Sequence, residues 1–288
     1  MLNIIVNPNA GNGLAKKNIK KIAKYLKKEK IPYLVYFLEK ENDMTDFVSS
    51  LEQADEKEFI LVGGDGTIHK FINTIKDLNK INIGIIPSGD NNNFAKILNL
   101  DFNPVNAIQN ILKNNIQQFD YLKCDDIKIC NCLSFGAVES IKHDATKDGK
   151  KKSPNIFDYY KYLKTFEPLQ VNFFGEEIND KNILIKECFI CNGSHKGNGF
   201  VSPLSNPQDG LANVICVTKK AGSGIFSDYA QIKKGKHIYH NENKTYWASN
   251  VNATSSKVPI KAEIDGDLYE LEQINVQVVE NGLRIYVE

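Results

Sequence analysis

Apolar residues follow two rhythms along this chain, and the change falls near residue 118. Before it, short apolar runs at residues 3–7, 33–38, 59–62 and 83–86 read as strands. Longer segments with apolar residues at helical spacing separate them. Residues 14–30 place Ile19, Ile22, Ala23 and Leu26 on one face and lysines elsewhere. Residues 44–51 predict a second helix, with Asp43 placed to cap it, and residues 68–75 a third. Strands alternating with helices predict an α/β N-terminal domain over residues 1–118, built on a doubly wound, mainly parallel sheet. From Phe119 onward the apolar runs shorten and crowd together, at 126–132, 171–174, 183–191, 212–218, 260–264, 274–279 and 283–287. Asp209-Gly210, Asp265-Gly266 and Asn281-Gly282 mark turns between them. This pattern predicts a mostly antiparallel β-sandwich C-terminal domain over residues 119–288. Residues 156–166 and 225–234 read as helices within it, and the polar, lysine-rich segment 143–153 as a mobile loop.

In doubly wound sheets, ligands sit at the carboxyl ends of the strands. Three polar loops occupy such ends here. Residues 7–13 include Asn7, Pro8, Gly11 and Gly13; residues 63–67 read Gly63-Gly64-Asp65-Gly66-Thr67; residues 87–93 include Gly89, Asp90, Asn92 and Asn93. Glycines between a strand end and a helix start let backbone amides converge on an anion, usually a phosphate. Asp65 would repel that phosphate unless a cation such as Mg²⁺ stood between them. The reading is a nucleoside triphosphate site that is not a P-loop, because no G-x-x-x-x-G-K-S/T occurs in the chain.

Charge and composition narrow the partners. A net charge of +1 over 288 residues argues against a dedicated nucleic-acid binder. The first residues enter a strand at once, so no signal peptide is expected. No apolar run approaches the roughly 18 residues that span a bilayer, so a cytoplasmic protein is expected. Its six cysteines then read as reduced thiols. Cys188 and Cys191 have metal-like spacing, but they lie inside an apolar strand run and read first as buried thiols. His69, His143, His195, His237 and His240 show no metal spacing. Two lysine groups, at residues 16–28 and 233–236, read as solvated faces or as contacts with an anionic membrane.

Five blocks in order give the chain a resemblance to the diacylglycerol kinase catalytic-domain family, which includes the soluble bacterial lipid kinases and the sphingosine and ceramide kinases. They are Asn7-Pro8-x-Ala10-Gly11-x-Gly13; Gly63-Gly64-Asp65-Gly66-Thr67; Pro87-x-Gly89-x-x-Asn92-x-Phe94-Ala95; Asn192-Gly193 through Asn213-Val214; and Asp265-Gly266-Asp267. The resemblance covers nearly the whole length. It implies an NAD-kinase-like first domain and transfer of the γ-phosphoryl of ATP to the hydroxyl of diacylglycerol or a related long-chain lipid, with Mg²⁺ as counter-ion. It further implies that Asp65 and Asp120 serve the catalytic metal and that Asp265 is the general base. Asn206, Asp209 and Leu211 match a loop that holds a structural Mg²⁺ in some members. Transient contact with the membrane surface follows from the substrate, and a homodimer stays open.

The chain departs from the family pattern at several positions. Asp90 stands where Thr is usual, Asn93 where Asp is usual, Lys70 where Glu is common, and Asp267 where Glu is usual. The first two changes together conserve charge, so Asp90 is the candidate to take over a metal role from Asn93. Two alternatives remain at this stage. One is a non-catalytic or degenerate member that binds nucleotide or lipid. The other is an NAD-kinase-like small-molecule kinase, which shares the residue 63–67 block.

Overall fold

The computed structural model describes residues 1–39, 43–53, 57–147, 165–218 and 230–288. The chain divides into two compact units, Met1–Tyr121 with Glu280–Glu288, and Leu122–Val279. The divisions fall inside two strands rather than in linkers.

The first unit contains β1 (Leu2–Val6), α1 (Leu14–Lys28), β2 (Tyr33–Phe37), α2 (Asp43–Gln53), β3 (Glu58–Gly63), α3 (Asp65–Thr74), β4 (Asn82–Pro87), α4 (Asn93–Ile97), α5 (Pro104–Leu112) and the start of β5 (Ile116–Cys124). Its sheet is parallel: β2 lies against β1, β1 against β3, and β3 against β4. Side-chain alternation settles which face each residue serves. Ile4, Val6, Ile60 and Val62 pack beneath Ile19, Ile22 and Leu26 of α1 and Ile108 and Ile111 of α5. Phe59 points to the other face and meets Phe71 of α3 with ring centroids 5.3 Å apart. A sheet covered on both faces explains why its strands are near-continuous apolar runs. Full burial of one side chain such as Ile22 contributes about 1.5–3 kcal/mol. Helix α5 starts where Asn103 Oδ1 accepts from the amides of Val105 and Asn106, with Pro104 just inside the first turn.

The second unit continues with β6 (Ile127–Ile129), β7 (Cys132–Gly136), α6 (Ala137–Lys147), β8 (Leu169–Phe174), β9 (Asn179–Cys191), β10 (Ala212–Thr218), β11 (Lys244–Ala248), β12 (Asn250–Ser255), β13 (Ile260–Ile264), β14 (Asp267–Leu271) and β15 (Ile274–Tyr286). Its pairings are antiparallel. Strand β9 is the hub, with β10 on one edge and β7 and β8 along the other. Strand β13 joins β7 to β14, and β12 joins β8 to β15. Cys188 and Ile190 of β9 enter the main core, while Phe189 and Cys191 face a smaller cluster with Val201, Ile215 and Val217. Cys188 and Cys191 therefore lie on opposite sides of one strand and cannot ligate one metal ion.

The architecture agrees with the sequence on fold class, adds α4, α5, β5, β11, β12 and β14 to the elements expected, and overturns the reading of three segments. The 143–153 segment is not all loop: α6 runs through His143 to Lys147, because Ala137, Ile141 and His143 are buried beneath it. The 126–132 run is two strands, broken at Cys130 and Asn131, whose amides turn to Asp265. Asn281-Gly282 is not a hairpin turn. Strand β15 continues across it with a left-handed residue, Asn281 at φ 54°, whose amide is held by Asp120. The expected helix at 156–166 lies outside the described residues up to 164, and that at 225–234 up to 229.

Candidate active site

The three loops of the first unit meet at the carboxyl edge of its sheet, and named bonds tie them together. Asn7 Nδ2 donates to Thr67 Oγ1 at 3.1 Å, joining the first loop to the second. The Ser88 amide donates to Gly63 O at 2.7 Å, joining the third to the second. Asn18, buried on α1, donates to Ser88 Oγ at 2.9 Å. Asn92 closes its own loop, accepting from the Gly89 amide at 2.8 Å and donating to Gly89 O at 2.7 Å. Asn92 itself holds φ 50°, a conformation Asn tolerates better than most residues.

Glycine is required where these loops touch. A Cβ on Gly64 would lie 2.8 Å from Gly89 Cα, and one on Gly11 would lie 2.4 Å from Ser88 O. Gly66 differs, since a Cβ there meets nothing within 4 Å. Open space thus fronts the first turn of α3, where amides lack intrahelical acceptors. Pro8 and Thr67 are buried. This edge has the room and the amide donors for a phosphate.

The acidic residues are placed less simply. Asp65 is the first residue of α3, one turn earlier than the sequence indicated. Its two oxygens accept from the Asn93 and Phe94 amides at 2.9 and 3.0 Å, so it caps α4 across the loops. Asp120 is buried on β5 and accepts from the Asn281 amide at 2.8 Å. Asp90 is exposed on the third loop. Among the described residues, no three His, Cys, Asp or Glu side chains gather to hold a metal. Among the described residues, Asp65, Asp90 and Asp120 are thus not gathered into a three-carboxylate metal cage.

In the second unit, Asp265 begins the β13–β14 turn at φ 48°. Its carboxylate accepts from the amides of Cys130, Asn131 and Cys132 at 2.7, 3.0 and 3.0 Å. Asn206 and Asp209 are exposed, and Asp209 Oδ1 accepts from the Leu211 amide at 3.0 Å.

The same unit buries a charge cluster that the sequence reading did not single out. Lys196 lies 2.6 Å from Glu139 and 3.1 Å from Glu263, and it also bonds Ser134 Oγ. Lys142 pairs with Glu263. Burial opposes the Lys196 charge, yet Glu139 and Glu263 hold its pKa well above the lysine range. Burial likewise opposes the Glu139 charge, but Lys196, Glu187 and Lys142 together hold its pKa well below the carboxylate range. Burial and then the Glu139 charge push the Glu187 carboxyl far up. Among the described residues Glu139 Oε2 and Glu187 Oε1 find no donor, a place that a proton retained on Glu187 would fill. The legible signal was an acid in each of two largely apolar strand runs, Glu187 beside Lys186 and Glu263 between Ala262 and Ile264.

Comparison with known proteins agrees with this geometry. A model described as the diacylglycerol kinase catalytic domain matches residues 1–124. A second, described as the YegS C-terminal NAD kinase beta sandwich-like domain, matches residues 151–287. A protein named diacylglycerol kinase from Staphylococcus saprophyticus is 26% identical over 276 residues, covering 92% of this chain and 88% of its own length. One of the same name from Staphylococcus epidermidis is 27% identical over 274 residues, covering 92% and 84%. The crystal structure of a diacylglycerol kinase from Bacillus anthracis shares the fold, with TM-score 0.77 at 19% identity over 100% of this chain and 96% of that one. An NAD kinase from Archaeoglobus fulgidus, solved with ATP, is more distant, with TM-score 0.57 at 14% identity over 99% and 93%. The two models fall on the two parts of the sequence in order, so residues 1–124 match the diacylglycerol kinase catalytic domain and residues 151–287 match the sandwich-like domain described with it.

Proposed function

We propose that this chain is an ATP-dependent lipid kinase that phosphorylates the hydroxyl of diacylglycerol or a related long-chain lipid. The observation that carries this reading is the junction of three loops at one sheet edge, fastened by Asn7–Thr67, Ser88–Gly63 and Asp65–Asn93 bonds. Amides of the residue 63–67 and 88–92 loops would hold the phosphates, with Asn7, Pro8 and Gly11 shaping the wall. Mg²⁺ would travel with the triphosphate, with Asp90 as the exposed carboxylate of the third loop. Asp65 and Asp120 would act chiefly by fixing backbone around it. Asp265 is the proposed base for the acceptor hydroxyl, and Asn206, Asp209 and Leu211 the proposed second cation loop. The enzyme would work in the cytoplasm, at the membrane surface where its lipid resides.

The test is transfer of labelled γ-phosphate from ATP to detergent-dispersed diacylglycerol, with and without Mg²⁺. A labelled phosphatidic acid product is expected. Failure to label any lipid of a broad panel would overturn the reading. One observation favours a second reading, a nucleotide binder without turnover: three amides engage the Asp265 carboxylate. ATP binding by calorimetry without any transfer would select it. Labelled NADP formed from NAD would instead select a small-molecule kinase.

A further inference from the structure

We infer that the second unit carries a docking face for anionic lipid bilayers, formed by two stapled segments around Phe200 and Lys236. The inference rests on the lipid-kinase reading for its purpose but not for its geometry. The Phe200 amide donates to Lys233 O at 2.8 Å. Gly235, at φ 68°, packs so close to the next turn that a Cβ would lie 2.3 Å from Pro203 Cγ. The inner side of both segments is anchored. Val201, Ile232 and Ile238 cover the Phe189, Ile215 and Val217 cluster on the β9–β10 sheet. His237 is buried with its ring edge-on to Phe189.

The outer side has a different chemistry. Tyr239 is 77% exposed, Leu204 54% and Phe200 38%. Lys233, Lys234 and Lys236 are exposed beside them. Neither residues 195–208 nor residues 230–241 contain an Asp or Glu. Bulky apolar tips near three lysines, with the acids Asp209 and Glu242 directly after the two segments, complement an anionic headgroup layer over an apolar interior. The apolar tips stand on turns rather than along a groove, so they suit shallow insertion better than a helix or strand of another protein.

The experiment is co-sedimentation of the full chain with phosphatidylglycerol–phosphatidylcholine vesicles and with pure phosphatidylcholine vesicles. Binding to the anionic vesicles only, weakened by salt, is expected. Charge reversal of Lys233, Lys234 and Lys236 to Glu should weaken it at least tenfold, since each lysine near an anionic surface contributes roughly fivefold. Leu204→Ser with Tyr239→Ser should weaken it and leave the salt dependence in place. If the charge-reversed chain melts early, the Lys→Gln triple is read in its place. Equal binding by wild type and variants, no vesicle binding by wild type, or a dimer that these variants dissociate would each overturn the inference. Kinase activity on detergent-dispersed lipid separates the two claims. An inert chain that docks through this face breaks only the kinase reading; an active chain whose docking ignores these residues breaks only the docking face.

Discussion

Gly64 and Gly89 sit back to back: a Cβ built on Gly89 would lie 2.5 Å from Gly64 Cα. Two turns that belong to different strands are thereby held closer than any side chain permits. Gly89→Ala or Gly64→Ala must push the loops apart, at about 1–3 kcal/mol by analogy with overpacked sites. Gly66→Ala is the instructive contrast. It meets no neighbour, and Ala favours a helix over Gly by about 1 kcal/mol. We expect Gly66→Ala to melt no lower than wild type yet bind ATP at least tenfold more weakly, by thermal melts and calorimetry. Unchanged ATP affinity would remove the phosphate from this turn.

Asp65 joins α3 to α4 through two amides. Asp65→Ala leaves both donors without this acceptor, and we expect a loss of about 1–3 kcal/mol in urea unfolding. Asp65→Asn keeps one acceptor and should lose less. A purely metal-binding Asp65 would instead show no change in stability without metal.

Glu139 and Glu187 should respond oppositely to the same change. Glu139→Gln leaves Lys196 with only Glu263 as a close carboxylate, and breaking a buried pair costs about 3–5 kcal/mol. Glu187→Gln imitates the protonated acid and should be nearly neutral near pH 5. The Glu187 pKa is raised on folding, so its contribution is whole below the unfolded value and is lost as pH rises toward the folded one. Glu187→Gln should therefore gain stability relative to wild type as pH rises above about 5. A pH-independent difference would refute the shared proton.

His237 supplies the acid-side counterpart. Burial, with a smaller push from His240, lowers its pKa from 6.5 to about 4, although backbone groups of Gln231 and Val201 temper the shift. The unfolded chain therefore binds this proton first as pH falls. Stability should decline between about pH 6.5 and pH 4 and level off below, by an order of 3 kcal/mol for this group. His237→Phe should flatten that slope in pH-dependent denaturant midpoints.

The strands of the first unit and the three glycine loops were legible because each is written in consecutive residues: an apolar run, then glycines, then helical spacing. The charge cluster was not, since Ser134 with Glu139, Glu187 with Lys196, and Glu263 come from three distant stretches that only tertiary pairing brings together. Asp65 shows a subtler limit. Its type and position were plain, but the donors it serves are backbone amides nearly thirty residues on, which no side-chain pattern announces. Asn281-Gly282 misled for the opposite reason: Asn281 does take the left-handed conformation a turn would use, but Asp120 accepts its amide and the strand carries on instead of reversing.

The path of β15 has a consequence for synthesis. Its far end lies parallel to β4 at Ile285 and Ile83, so one border of the α/β sheet is completed by residues made after the second unit. At about 5–20 residues per second, a ribosome needs roughly 10–40 s to travel between those two isoleucines. Throughout that interval the nascent β4 keeps a bare hydrogen-bonding edge, a template for pairing with strangers. That exposure ends only when β15 is made and reaches β4.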